Sequence, residues 1–289
     1  MNAADQSTRR PASPLIDAHA HFLHSGAGRV DWKEVNDARF RAGDKIGITY
    51  HVASILGTYG FSSPTYFPSP ADVKAGNDAM IALLQAEPNR VRMMAVVNPN
   101  YTDKALAELE RCRKAGAIGI KVLASRRADD PLLDPIARYA AEHHMPILHH
   151  IWQHRRREWP SQEISDGVDL ARLAARHPTA SFILAHIGGG GDYMHTFAAV
   201  RDHLNIFPDL SGSGVDRGML DEALETLGAE RLLWGCDLTM CTGLAKLRAL
   251  DVIGVTGDDL ENIRWKNAAR IFPPNAFPST RRPADPPTR

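Results

Sequence analysis

The run LIDAHAHF, residues 15–22, sets Asp17, His19 and His21 at every second position of a short apolar segment. A β-strand sends alternate side chains to opposite faces, so this spacing predicts that the three polar groups converge while Ile16, Ala18, Ala20 and Phe22 pack on the other side. Imidazole nitrogen and carboxylate oxygen suit Zn²⁺ or a similar first-row divalent ion, with room left for a water. Groups of the same kind recur much later: His150 or its neighbour His149 in MPILHHI, His186 in SFILAHI, and Asp237 in RLLWGCD. A lone histidine in an apolar run is ordinarily a hydrogen-bonded core residue. A spaced pair, followed by further His and Asp in similar runs, is a metal-site pattern.

The elements that carry these groups read as strands alternating with helices. LIDAHAHF, ITYHVASIL, VRMMAVVN, AIGIKVL, MPILHHI, SFILAHI, NIFPDLS and RLLWGCD are short β-branched runs, most of them apolar on both faces as strands buried between layers must be. DKALAELERCRKAG, DPIARYAAEHH, DLARLAARHP and MLDEALETLG space their apolar residues three and four apart, and most stop at Gly or near Pro. Such alternation predicts a parallel sheet with crossover helices, closed as a single-domain α/β (β/α)8 TIM barrel. An open doubly wound sheet is disfavoured because no glycine-rich dinucleotide turn follows the first strand. The barrel is placed at residues 14–272, after a flexible leader (1–13) and before a proline-rich tail (273–289). GTYGFSSPTYFPSP, after the second strand, is too long for a plain turn and reads as a lid or a packed loop.

Bulk properties narrow the function. Lys+Arg and Asp+Glu are each 34, a formal net charge of zero, so no global field favours nucleic acid or an anionic membrane. No apolar run is long enough to span a bilayer, and the leader's Arg pair has no apolar core behind it. The cysteines Cys112, Cys236 and Cys241 form no disulfide framework, which predicts a reducing, cytoplasmic setting. The expected partner is a small-molecule substrate, with no nucleic acid and no membrane; a homo-oligomer, dimer or larger, is a further expectation.

The chain resembles the amidohydrolase superfamily, in the branch related to aminocarboxymuconate semialdehyde decarboxylase and 2-pyrone-4,6-dicarboxylate lactonase. The resemblance rests on IDAHAHF, GIKVL, MPILHH, FILAHIGGG, LLWGCD and KNAARIF, and covers nearly the whole chain. It implies that His19, His21, His150 and Asp237 bind one divalent ion, zinc first and manganese second. The family spacing of four residues after Pro146 selects His150 over His149. Asp237 would also carry the proton, and His186 would face the substrate. Lys121 in GIKVL fits loosely the position of the carbamylated, metal-bridging lysine of some relatives; the plainer reading is an unmodified ammonium. Where many relatives read Gly-Ser-Asp-x-Pro, this chain reads GCDLT, and Cys236 is expected to pack without reacting.

A metal-activated water, with Asp237 as base and then acid, predicts a hydrolase of a small, carboxylate-bearing ester, lactone or amide. A non-oxidative decarboxylase of an aromatic or unsaturated acid uses the same residues, and a silent ligand-binding barrel is a third reading. Arginine forks match carboxylates, so Arg126 and Arg155, with Lys121 and Trp152, are candidate substrate contacts, and Tyr59 and Tyr66 candidate aromatic walls. Asp17 is expected to orient a ligand histidine from behind.

Overall fold

A computed structural model of the chain describes residues 13–27, 29–56, 63–64, 66–151, 162–190, 192–212, 218–238 and 240–278. The strands are β1 (Ile16–His21), β2 (Tyr50–Ser54), β3 (Val91–Val97), β4 (Ala117–Val122), β5 (Ile147–His150), β6 (Phe182–Ala185) and β7 (Ile206–Pro208). They pair in parallel in sequence order as one seven-stranded sheet. RLLWGCD supplies the eighth stave through a few bonds: Leu210 N donates to Leu233 O (2.7 Å), Leu233 N to Pro208 O (3.0 Å), Ala18 N to Trp234 O (3.0 Å) and Asp237 N to His19 O (2.7 Å). Residues 232–237 therefore touch both edge strands and close the ring, as the alternating pattern predicts.

Helices return the chain between strands: α1 (Trp32–Ile46), α2 (Pro70–Ala86), α3 (Thr102–Lys114), α4 (Asp134–Glu142), α5 (Gly167–Arg176), α6 (Tyr193–Val200), α7 (Met219–Leu227) and α8 (Met240–Val252). Their ends follow local chemistry. Ser69 caps α2 by accepting from Asp72 N with Pro70 in the first turn, Asp166 and Asp169 form a capping box on α5, and Gly47 ends α1 at φ 89°. The predicted helices fall within a few residues of α3, α4, α5 and α7.

Two apolar cores sandwich the sheet. Leu15, Ala20, Phe22, Ile120, Val122, Ile147 and Leu184 face the helices. Ile16, Ala18, Val52, Met94, Leu148, Ile183 and Leu233 fill the barrel below the polar groups, where Phe272 and Ala276 plug the end. The tail begins by wrapping this end: Phe277 packs on Tyr50 and Phe272, and Pro278 O accepts from the Tyr50 hydroxyl at 3.1 Å. Residues 1–12 and 279–289, the rest of the expected leader and tail, lie outside the described residues. No described helix is long and apolar enough to cross a membrane.

The first strand corrects the alternation drawn from its sequence. The β1–β2 register shifts between Asp17 and Ala20, so the face changes in mid-strand. Ile16 and Ala18 point into the barrel, and so do His19 and His21, while Asp17 joins Ala20 and Phe22 on the helix side. Strict alternation fails because the extra residue resets the parity.

Candidate metal centre

His19 and His21 project inward at the top of β1, with Nε2 atoms 3.1 Å apart. Asp237 ends the eighth stave at φ 57°, and its Oδ1 lies 3.2 Å from His21 Nε2 and 3.7 Å from His19 Nε2. These three form a triplet whose ligand atoms all lie within 4.8 Å of one another. Gly235 allows the close approach of the eighth stave, since a β-carbon there would sit 3.0 Å from His19 Cβ.

The hydrogen bonds behind the rings fix where their protons are. His21 Nδ1 lies 3.0 Å from Ser54 Oγ and 3.3 Å from Ser54 O; a carbonyl only accepts, so Nδ1 carries the proton. His19 Nδ1 donates to Asp209 Oδ2 at 2.9 Å, while Asp209 Oδ1 accepts from Ser211 N (2.9 Å) and from the Ser211 hydroxyl. Both Nε2 atoms are thereby left as lone pairs, facing each other and the acceptor Oδ1 of Asp237. Three converging lone pairs repel unless a cation lies among them, so this donor set fits a divalent ion.

Charge states agree with that tautomer assignment. Burial pushes the His19 imidazolium well below its ordinary range, aided by Lys121 and opposed by Asp237. Burial likewise lowers His21 and His186, against Asp237, and lowers His150 with help from His186 and Lys121. The rings are neutral at pH 7 and able to ligate. Burial acts to raise Asp237, but its carboxyl is held far below the usual carboxylate range because His19, His21 and His186 take up any proton the cluster acquires before Asp237 does. Lys121 Nζ lies 3.2 Å from His19 Nε2; burial lowers it to about 8, with Asp237 and Asp209 opposing.

His186 stacks on His19 with centroids 5.2 Å apart, and its Nδ1 lies 2.8 Å from Ser211 Oγ, leaving Nε2 as the acceptor nitrogen. His19, His186 and Asp209 form a second close triplet, but the bond between His19 Nδ1 and Asp209 makes it an orienting network. His150, paired with the inward Ala185, faces the interior; its ring is 5.2 Å from that of His186 and outside the close triplets. His149 is paired with Val122 and Leu184, both on the helix side. The neighbours decide a parity that the pair HH left open.

Other expected contacts fare differently. Tyr66 packs on His150 at 5.2 Å. Arg126 is engaged by Asn100 and, at 3.6 Å, by Asp130. Trp152, Arg155 and Tyr59 lie outside the described residues. Asp17 does not back a ligand ring: its carboxylate binds Arg39, His51 and the Cys236 N–H, and Asp209 does the orienting instead. Asp209, Ser211 and Ser54 are not among the candidates read from the sequence, although Asp209 and Ser211 follow β7 within NIFPDLS and Ser54 closes β2, strand ends of the kind that yielded the other ligands. Cys236 is buried and its thiol is pushed far up by burial, so it packs as expected.

The amidohydrolase family model matches residues 16–273. No protein of curated function matches the sequence. Among solved structures, 2,6-dihydroxybenzoate decarboxylase from Rhizobium is similar at 18% identity, with a TM-score of 0.69 over 90% of this chain and 98% of that one. A 5-carboxyvanillate decarboxylase from Sphingomonas paucimobilis gives 18% and 0.65 over 90% and 98%. A dihydroxybenzoic acid decarboxylase from Polaromonas sp. JS666, with bound manganese and 2-nitroresorcinol, gives 18% and 0.65 over 90% and 96%.

Proposed function

The chain belongs to the amidohydrolase family, and we propose that it is a metal-dependent, non-oxidative decarboxylase of an aromatic or unsaturated carboxylic acid. The observation that carries the reading is the convergence of His19 Nε2, His21 Nε2 and Asp237 Oδ1 beside the buried Lys121 ammonium. With a divalent ion, Lys121 protonated and Asp237 ionised, the cluster is left positively charged whether or not Asp209 is ionised. A buried net charge is relieved by an anionic substrate, here the carboxylate. The choice of lyase over hydrolase is supported by the decarboxylases that share this fold over nine-tenths of both chains.

A zinc or manganese ion, when bound, would supply the positive charge that stabilises the negative charge developing as CO₂ leaves. His19, His21 and Asp237 would hold it, with His150 the further ligand that the family resemblance implies. The side chain of Asp237 is 27% exposed, while those of His19, His21, His186 and Asp209 are 4% or less, so Asp237 is the group that meets incoming substrate. Ionised at rest, it takes up one proton from solvent and delivers it to the carbon that bore the carboxylate as the carbon–carbon bond breaks; carboxylate plus one proton gives the C–H product and CO₂. His186 Nε2 accepts from a substrate hydroxyl, held in that tautomer by Ser211.

Hydrolysis of an ester, lactone or amide would call on the same residues, and one experiment separates the two. Manganese- and zinc-loaded protein is incubated in D₂O with a panel of hydroxybenzoates, unsaturated acids and lactones. The expected result is CO₂ release with one deuterium on the product carbon, falling about 10²–10⁴-fold in Asp237→Asn. Lactone opening without CO₂ would replace the lyase by the hydrolase.

A further inference from the structure

Asp237 stands at the centre with its backbone in the left-handed conformation, φ 57°, which crowds a β-carbon and which, after glycine, asparagine and aspartate adopt most readily. Besides the bond from Asp237 N to His19 O within the ring, what holds it lies outside. Arg39, on α1 and 6% exposed, donates from Nη1 to Asp237 O at 2.7 Å and to Leu238 O at 3.3 Å. Its Nη2 donates to Asp17 Oδ2 at 2.9 Å. The other Asp17 oxygen accepts from Cys236 N at 2.9 Å and from His19 N at 3.3 Å. A single buried ion pair thus grips the Cys236 amide on one side of Asp237 and the Asp237 and Leu238 carbonyls on the other, together with the amide of His19. Arg39 Nε is buried with no hydrogen-bond partner among the described residues, so the fork is set for its carboxylate and carbonyls while one donor is left unmet.

We propose that Arg39 is a positioning residue for the reaction, locking the left-handed peptide of Asp237 against the backbone of His19 so that the two side chains meet at one ion. The inference rests on Asp237 being a metal ligand and proton carrier, as set out above. Planarity is essential: a guanidinium spans a carboxylate and two carbonyls in fixed directions, which a single ammonium does not.

The test titrates Mn²⁺ into full-length wild type, Arg39→Met, Arg39→Lys and the double variant Asp17→Asn/Arg39→Met, and measures kcat and KM for CO₂ release. The double variant removes both buried charges together, so it keeps the test decisive if the single one fails to fold. Arg39→Met and the double variant are expected to bind Mn²⁺ about 10–100-fold more weakly, the range for residues that hold a ligand in place. Their kcat should fall more than KM rises. Low-millimolar guanidinium should restore part of both losses in a further variant, Arg39→Ala, which leaves its space open, whereas Arg39→Lys stays impaired. Wild-type Mn²⁺ affinity in the folded double variant, or losses that guanidinium does not restore, would overturn the proposal. Wild type that binds Mn²⁺ yet releases no CO₂ would sink the decarboxylase reading alone, since the Mn²⁺ titrations still decide the role of Arg39.

Discussion

Asp209→Asn is expected to weaken divalent-ion binding while leaving the barrel folded. In the native protein Asp209 Oδ2 takes the Nδ1 proton of His19, and Oδ1 takes two bonds from Ser211. An asparagine that keeps its oxygen on Ser211 turns its NH₂ toward His19 Nδ1, donor against donor. The ring is then driven to carry its proton on Nε2, where it covers the ligand lone pair. A bond to a charged group is worth about 1.5–3 kcal/mol against about 0.5–1.5 for a neutral one, so the difference is roughly 1–2 kcal/mol. That corresponds to about 5–30-fold in affinity at about 1.4 kcal/mol per decade, overlapping the 10–100-fold range known for partners of ligand histidines. The assay is calorimetric titration with Mn²⁺, with thermal unfolding as the check on folding. Affinity within about twofold of wild type, well below the range for such partners, would refute the tautomer argument if the melting point is also retained.

Two further outcomes follow from the same structure. Of the three cysteines, at most one should react with a thiol reagent in native protein at pH 8, because Cys112 and Cys236 are buried and burial pushes the Cys112 thiol up to about 12 and Cys236 higher still; unfolding should release all three, and mass spectrometry of labelled peptides counts them. Burial acts to raise Asp17, but His51, Arg39 and the Cys236 N–H outweigh it and hold the carboxyl below its ordinary value. Its folded pKa lies below the unfolded one, so the stability it contributes is present above about pH 4 and lost as the pH falls through the folded pKa. Urea midpoints should therefore drop more between pH 6 and pH 3 in wild type than in Asp17→Asn, and parallel curves would count against the pairing.

Much of the fold is legible in the chain. The alternation of runs such as AIGIKVL and DPIARYAAEHH predicts strand then helix, and β4 and α4 fall inside those bounds. The eighth stave is marked by RLLWGCD even though it pairs too sparsely to count as a strand. Within the centre, His19, His21, His186 and Asp237 meet as expected, because each ends a stave and parallel staves bring their ends to one mouth.

By itself the sequence determined which residue types stand at the strand ends, and hence that a cluster of imidazoles and a carboxylate must form once the strands lie side by side. Tertiary structure alone decided which way each side chain turns. A one-residue shift in β1 sends Asp17 out to Arg39 and His51, an event that period-two alternation has no means of registering. The neighbours Val122 and Leu184 decide between His149 and His150. The proton that makes His19 a ligand is set by Asp209, 190 positions away. Residue type and period are local properties, whereas register, tautomer and the grip of Arg39 on Asp237 depend on groups that become neighbours only when the barrel closes.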